Sequence, residues 1–358
     1  MTGAVFAVPG NIDLPTGGYG YDRRVLALLG QWGVEVRHLA LPGWFPGPSP
    51  EDLQASARLL GEADRGEVLM IDGLAYGALP RALVDALRGP ILALVHHPLC
   101  LEAGLGEDRR LALQATETAA LARADHVVVT SATTATTLAA DFAVPPTRIT
   151  VAPPGTDPAP RATGTGAPLQ LLAVGSVVAR KAHDVLVRAL APLRQRDWQL
   201  TICGATDLDA GAVHAVQAAL HETGLADRVR LAGPASAQEL AQLYAGADLL
   251  VSASLYEGYG MALAEALARG VPIVCTTGGA AARTVPDAAA LKVPPGDTEA
   301  LSQALATVLD DAVLRRRLGD AAWAAAASLP RWEDTARIVA GAIRDVASTR
   351  KGPVDGSR

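Results

Sequence analysis

Two glutamates, Glu257 and Glu265, frame the stretch of this chain richest in chemistry. Residues 249–275 read as strand, glycine-rich turn, helix and strand, with Gly258, Tyr259, Gly260, Met261 and Ala262 between the two acids. Backbone N–H groups at such a turn are free, and the start of a helix favours negative charge. Eight residues of helix span about 12 Å, enough to set one carboxylate on a sugar and the other on the ribose of the same nucleotide. The plainer alternative is a solvated helix face at Glu265 and a helix-end charge at Glu257.

A basic pair, Arg180-Lys181, follows another strand that ends at Gly175-Ser176. Two cations at the carboxyl end of a strand suit a diphosphate whose charge grows as a leaving group departs, although a basic pair in a surface loop also serves solubility. Only Lys181, Lys292 and Lys351 are lysine among 31 basic residues, so this chain uses lysine sparingly. Further upstream, Gly17-Gly18 precedes an amphipathic stretch, and a glycine pair lets backbone approach a phosphate or sugar closely. His96-His97 ends an apolar run, where an imidazole can orient a substrate hydroxyl, move a proton or simply cap a loop.

Other chemistries are excluded by spacing. The turn around Gly17 is not GxGxxG and stands six residues (10–15) past Val8-Pro9, too far for a dinucleotide fingerprint. Neither GxSxG nor a P-loop occurs. Asp207-Leu208-Asp209 is formally a DxD but falls where a strand-to-helix loop belongs, so no metal is expected. Cys100, Cys203 and Cys275 form no CxxC pair, which argues against a disulfide framework or a zinc site and for a reducing cytoplasm. No apolar run reaches the length of a membrane span, and the first residues show no secretory signal. Net charge is −6; residues 1–165 hold 12 Arg and no Lys against 17 acids, so no basic face for nucleic acid or anionic membrane is expected.

These groups need elements to hold them. Short Val/Ile/Leu runs alternate with amphipathic stretches, the pattern of βα units with buried parallel strands. Strands are predicted over 5–8, 35–39, 68–71, 91–95, 126–130 and 149–151, then over 169–174, 199–203, 229–232, 249–251 and 272–275. Helices are predicted over 21–31, 111–122, 184–190, 212–221, 237–244, 261–268 and 332–346, with 351–358 as a tail. Residues 152–168, dense in Pro, Gly and Thr, read as a linker. The expectation is two Rossmann-like, doubly wound α/β domains, 1–160 and 167–330, with ligands bound at the carboxyl ends of the strands in a cleft between them.

Taken in order, these segments resemble a retaining glycosyltransferase of family 4 with the GT-B fold, over nearly the whole chain. The resemblance rests on the E-x7-E stretch from Glu257 to Glu265 with Ala266-Leu-Ala-Arg-Gly-Val-Pro272 after it. Arg180-Lys181, residues 124–131 and Pro153-Pro-Gly-Thr-Asp157, similar to the family's PNGVD segment, support it. It implies that Lys181 and Arg180 bind a donor diphosphate, that Glu257 contacts the transferred sugar, and that Glu265 contacts the ribose. Amides around Tyr259, Gly260, Met261 and Ala262 would hold sugar and phosphate, with Gly17-Gly18 closing over them. His96 would stand beside the reacting carbon on the acceptor side, next to His97. The resemblance further implies a UDP- or GDP-linked donor, no metal or other cofactor, a small-molecule or saccharide acceptor, and a last helix (331–348) crossing back to the first domain.

The chain departs from the family at three places, one of them His97, which stands beside the strand-end histidine where others vary and leaves acceptor recognition open. Ser176 stands where Gly-Arg is usual, leaving Arg180 as a substitute cation, and Gly278-Gly279 is followed by no carboxylate as far as Arg283. A nucleotide-sugar epimerase and a non-catalytic donor-binding subunit are the two competing functions.

Overall fold

The computed structural model describes residues 2–349; the predicted tail over 351–358 lies outside the described residues. Among the described residues, twelve strands form two sheets of six. The first comprises β1 (Thr2–Pro9), β2 (Val34–Leu41), β3 (Val68–Asp72), β4 (Ile91–Val95), β5 (His126–Val129) and β6 (Ile149–Val151). The second comprises β7 (Leu169–Val174), β8 (Trp198–Cys203), β9 (Val229–Gly233), β10 (Leu249–Ser252), β11 (Ile273–Thr276) and β12 (Ala290–Val293). All pairings are parallel, in the orders β2-β1-β3-β4-β5-β6 and β12-β11-β10-β7-β8-β9. Both are doubly wound sheets.

Burial explains the strands. Every residue of β3 and β4 is buried, as a parallel strand covered on both faces requires. β2, at the sheet edge, is buried only at Val34 and Leu41. The edge strand β12 was not foreseen: Ala-Leu-Lys-Val is short and carries a lysine. The first predicted helix instead begins four residues earlier, in Gly17–Leu29, so Gly17 and Gly18 form its first turn.

The chain divides into two compact units. One takes the chain through Leu14, then Gly18–Gly155, then the chain from Pro330 on; the other takes Thr156–Leu329 with Pro15–Gly17. In the first, the Trp332–Thr349 helix packs along the sheet, touching all six strands. Its Thr335 hydroxyl donates to the Pro153 carbonyl at 2.6 Å, and the Trp332 ring meets Tyr21 edge-on at 5.9 Å. The predicted linker has no regular structure, yet it is well anchored. Asp248 accepts from the N–H groups of Thr165, Gly166 and Gln170 within the second unit.

Each sheet has one place where the strand order reverses, between β1 and β3 and between β7 and β10. Ligand sites of open α/β sheets form beyond the strand ends at such points. The residues with chemistry in them lie there.

Candidate functional site

In the second unit, β7 ends at Gly175, whose φ is +150°. A Cβ there would stand 2.9 Å from Cε of Lys181, so only glycine leaves room for the lysine stem. The turn Ala179–Lys181 is tied down on three sides. Lys181 N donates to Val178 O (3.0 Å), Ala179 N to an Asp209 carboxylate oxygen (3.1 Å), and Leu255 N to Arg180 O (2.8 Å). The DxD is therefore a loop, and its Asp209 also caps the Ala210–Thr223 helix by accepting from Ala212 N at 2.9 Å.

Beyond β10 the chain brings Glu257 to these cations. Lys181 Nζ donates to Glu257 Oε1 at 2.6 Å, and Ser254 Oγ donates to the same oxygen at 2.6 Å. Arg180 Nη1 lies 3.7 Å from Oε2 and donates to Tyr256 O at 2.7 Å. Glu257 is 7% exposed. Its backbone is fixed by a parallel bridge to Gly279, with Ala280 N donating to Glu257 O at 2.8 Å. Gly279 has φ +60°, and a Cβ on it would collide with Glu257 O, so the glycine pair 278–279 serves close approach. Burial works to raise the Glu257 carboxyl, but the Lys181 and Arg180 charges and the Lys181 and Ser254 hydrogen bonds outweigh it and hold it below the ordinary range.

The helix after this turn runs Met261–Leu267, so Gly258, Tyr259 and Gly260 precede it. That corrects the expected 12 Å spacing: Glu265 lies one turn into the helix, and Glu257 to Gly260 are not helical. Among the described residues, no acceptor meets the N–H groups of Tyr259, Gly260, Met261 and Ala262. Their carbonyl side is engaged, with Thr284 Oγ1 donating to Tyr259 O (2.6 Å) and Tyr244 Oη to Ala262 O (3.0 Å). Glu265 is not a solvated helix face. Burial raises its carboxyl above the usual range, against a hydrogen bond with Tyr244 and the charge of Arg269, which lies over the Tyr244 ring at 4.7 Å. Ser176 follows Gly175 in the β7 loop, its carbonyl accepting from Val178 N at 2.9 Å.

In the first unit, β3 pairs with β4 with Asp72 opposite Leu94, so the end of β3 lies beside the residues that follow β4. His96, just past β4, places Nε2 3.2 Å from Asp22 Oδ1 and 3.3 Å from Asp72 Oδ2. Asp22 comes from the Gly17–Leu29 helix and is fully buried; Asp72 is 2% exposed. Asp72 uses its other oxygen to accept from Leu74 N at 2.9 Å, capping the next short helix. The second oxygen of Asp22 has no hydrogen-bond partner. Tyr21 meets the His96 ring edge-on at 5.3 Å, and a Cβ at Gly18 would touch that ring at 3.4 Å. Burial opposes charging His96, but the charges and hydrogen bonds of Asp22 and Asp72 overcome it and raise the imidazole well above its ordinary value. Burial raises Asp22 in turn, against the His96 charge. His97 pairs separately with Glu102 at 3.0 Å.

Within the second unit, then, Arg180 and Lys181 converge on Glu257, which precedes the open amides of 259–262 in the chain, while Glu265 lies near Tyr244. Within the first, His96 sits against Gly18. Sequence reasoning missed Ser254, Asp22 and Asp72. Asp72 had one available signal, an acid ending an apolar strand next to the strand that ends in His96; Asp22 had none.

Two family models match the chain, "Glycosyl transferase 4-like domain" over residues 5–155 and "Glycosyl transferases group 1" over residues 168–311. Among curated proteins it is similar to the MMP alpha-(1->4)-mannosyltransferase of Mycolicibacterium hassiacum, 29% identical over 82% of this chain and 74% of that one. It is also similar to the D-inositol 3-phosphate glycosyltransferase of Salinispora tropica, 33% identical over 55% of this chain but 46% of that protein. Among solved structures it resembles a sucrose-phosphate synthase from Thermosynechococcus elongatus (TM-score 0.81, 22% identity, covering 97% and 100% of the two chains). It likewise resembles Anabaena HepE in complex with UDP and glucose (TM-score 0.73, 17% identity, covering 99% and 100%). No helix among the described residues is long and apolar enough to cross a membrane.

Proposed function

The chain belongs to glycosyltransferase family 4, with the two-domain α/β fold of the GT-B enzymes, and on that footing we propose that it moves a hexosyl group from a nucleoside-diphosphate sugar to an acceptor hydroxyl, with retention and without a metal. The observation that carries this reading is the constellation at the β7–β10 reversal. Two cations, Arg180 and Lys181, close on one buried carboxylate, Glu257, and just after it in the chain residues 259–262 carry N–H groups that meet no acceptor among the described residues.

A donor diphosphate competes with Glu257 for the two cations and accepts from the amides of 259–262. Lys181 released toward phosphate leaves Glu257 free to accept from a sugar hydroxyl, while Glu265 serves the ribose. The bond from the anomeric carbon to the phosphate oxygen breaks, and the bond to the acceptor oxygen forms on the same face. The acceptor proton passes to the departing phosphate oxygen. Arg180, Lys181 and the amides stabilise the charge that grows there, which electrostatic preorganisation makes most effective in a dry site. Ser176 contributes no cation, so Arg180 does that work.

The relatives' printed names cover mannosyl transfer and D-inositol 3-phosphate, and HepE was also solved with UDP-glucose, which makes UDP- and GDP-linked hexoses the first donors to try. We assign a saccharide or small polyol acceptor and a reducing compartment, where three buried free thiols persist. The test is a thermal-shift screen of sugar nucleotides, followed by transfer assays with EDTA present and NMR of the product anomer. A ligand at a hundred times its Kd stabilises by about 2.7 kcal/mol. Inverted product, or a requirement for added metal, would sink the mechanism. Conversion of the donor to an isomeric sugar nucleotide without acceptor would establish the epimerase instead.

A further inference from the structure

The His96 cluster contains more than the proposed transfer uses. One ring nitrogen, Nε2, faces two carboxylates at 3.2 and 3.3 Å, so it must carry the hydrogen and share it between Asp22 and Asp72. Those acids come from two separate elements, the Gly17–Leu29 helix and the end of β3, and neither is open to water. A hydrogen-bonded orienting carboxylate would need only one acid. Two buried carboxylates around a neutral ring would leave two uncompensated negative charges in a dry site, a cost of several kcal/mol each.

Of the other groups that face the cluster, only the Arg23 guanidinium adds positive charge, and it is the weakest of the influences on Asp22. The Arg23 guanidinium is committed to the carbonyls of Ile12 and Leu14, the Tyr19 hydroxyl donates to Pro9 O, and Tyr21 Oη donates to Ala152 O. His97 is paired with Glu102, and Thr130 on the neighbouring strand end donates to the His96 carbonyl, not the ring. The positive charge within hydrogen-bond reach of both carboxylates must come from the imidazole. Among the described residues no hydrogen bond reaches Nδ1, and the side chain keeps one fifth of its surface exposed.

We propose that Asp22 and Asp72 are positioning residues that pin His96 through Nε2 and keep it an imidazolium, so that the ring offers substrate a cationic N–H donor and not a base. His96 then cannot take the acceptor's proton. It donates a hydrogen bond from Nδ1 to a hydroxyl oxygen on the acceptor or the transferred sugar. In this respect the inference rests on the transferase reading, but the charge state does not. The three ligand-type atoms also lie within 4.8 Å of one another, the one such grouping among the described residues, so a divalent cation is the rival occupant.

The experiment uses the full chain labelled with 15N-histidine, with His96→Gln assigning the ring signals. In the wild type both ring nitrogens should show protonated shifts at pH 7.5. Asp22→Asn should restore a neutral-range titration and add a fall in kcat/KM above neutrality, about tenfold or more by pH 8.5, that the wild type lacks. Asp22→Glu should recover most of the wild-type profile. If Asp22→Asn does not fold, the wild-type spectrum alone decides the charge, and Asp72→Asn supplies the kinetic arm. A neutral wild-type ring, a variant pH profile parallel to the wild type, or one equivalent of Mn2+ or Zn2+ bound and lost in Asp72→Asn would each overturn the proposal. An imidazolium spectrum in a protein that transfers from no tested donor would uphold the cluster while the transferase reading fell.

Discussion

The two units solve the same problem with opposite charges. In the second, two cations, Arg180 and Lys181, close on one carboxylate, Glu257; in the first, two carboxylates, Asp22 and Asp72, close on one imidazole, His96. Both trios sit where the strand order of a parallel sheet reverses, and both draw their members from separate elements. The surplus is positive in one and negative in the other. A positive surplus suits a diphosphate, and a negative surplus fixes the charge of the single cation within it. The architecture supplies the position, and the side chains choose the sign.

The largest effect expected from breaking this comparison is at Lys181. Lys181→Met should lower transfer by about a hundred- to a thousandfold, the loss typical of a removed transition-state donor. It should also cost about 3–5 kcal/mol, because Glu257 stays buried beside a single distant cation. Adding Glu257→Gln should return most of that stability in chemical denaturation while activity stays low. Recovery of turnover in the double variant would show that the pair is only structural.

Next comes the response to pH, which should differ in direction between the units. Glu257 is held below its ordinary 4.5, so its stabilisation is present above that value and fades as pH falls through the lowered one. His96 is held above 6.5, so its stabilisation is complete below that value and fades as pH rises toward the raised one. Hydrogen exchange should therefore find β10 loosening first in acid and β3 and β4 first in alkali. Matching losses in both units on one side of neutrality would break the comparison.

A smaller effect separates a second alkaline contribution in the first unit. Glu117 is fully buried, its carboxyl pushed up to about 8 by burial despite a bond from Leu99 N at 2.9 Å, and its other oxygen has no partner. Being raised, it disfavours the folded state progressively between pH 4.5 and 8. Glu117→Gln should flatten that part of the stability profile and raise stability at pH 9 by about 1–3 kcal/mol. The smallest effect should be at Ala182, which adopts φ +47° between the cationic turn and its helix. Ala182→Gly relieves the left-handed strain but frees the unfolded chain, so Tm should move by no more than about 1 kcal/mol's worth.

Much of this molecule could be read without coordinates, for a physical reason. Strands buried on both faces leave continuous apolar runs, so β4 and β7 were placed to the residue, and the residues ending them drew attention. Arg180, Lys181 and Glu257 stood out because each closes a βα unit and carries unusual chemistry for its surroundings. Asp22 did not, since a helix residue reaches a site through three-dimensional packing that no local period records. Ser254 escaped as one hydroxyl among several near β10. The helix after Glu257 was expected over 261–268 and runs Met261–Leu267; only the 12 Å spacing failed, because it counted the turn through Gly258 and Gly260 as helix.

The return of the Trp332–Thr349 helix to the first sheet has a consequence for how the polypeptide can be cut. Apart from Pro15–Gly17, the second unit is an uninterrupted passage of sequence, whereas the first is assembled from both ends of the described chain. A gene fragment for 156–329 therefore retains all six of its strands. A fragment stopping at 155 would bare the apolar sheet face that Val339, Ala340 and Ile343 cover, and with it the tryptophan that abuts Tyr21 beside the histidine. Ribosomal synthesis meets the same constraint: the sheet over residues 2–151 must wait for the later-made Trp332–Thr349 helix before its core is closed.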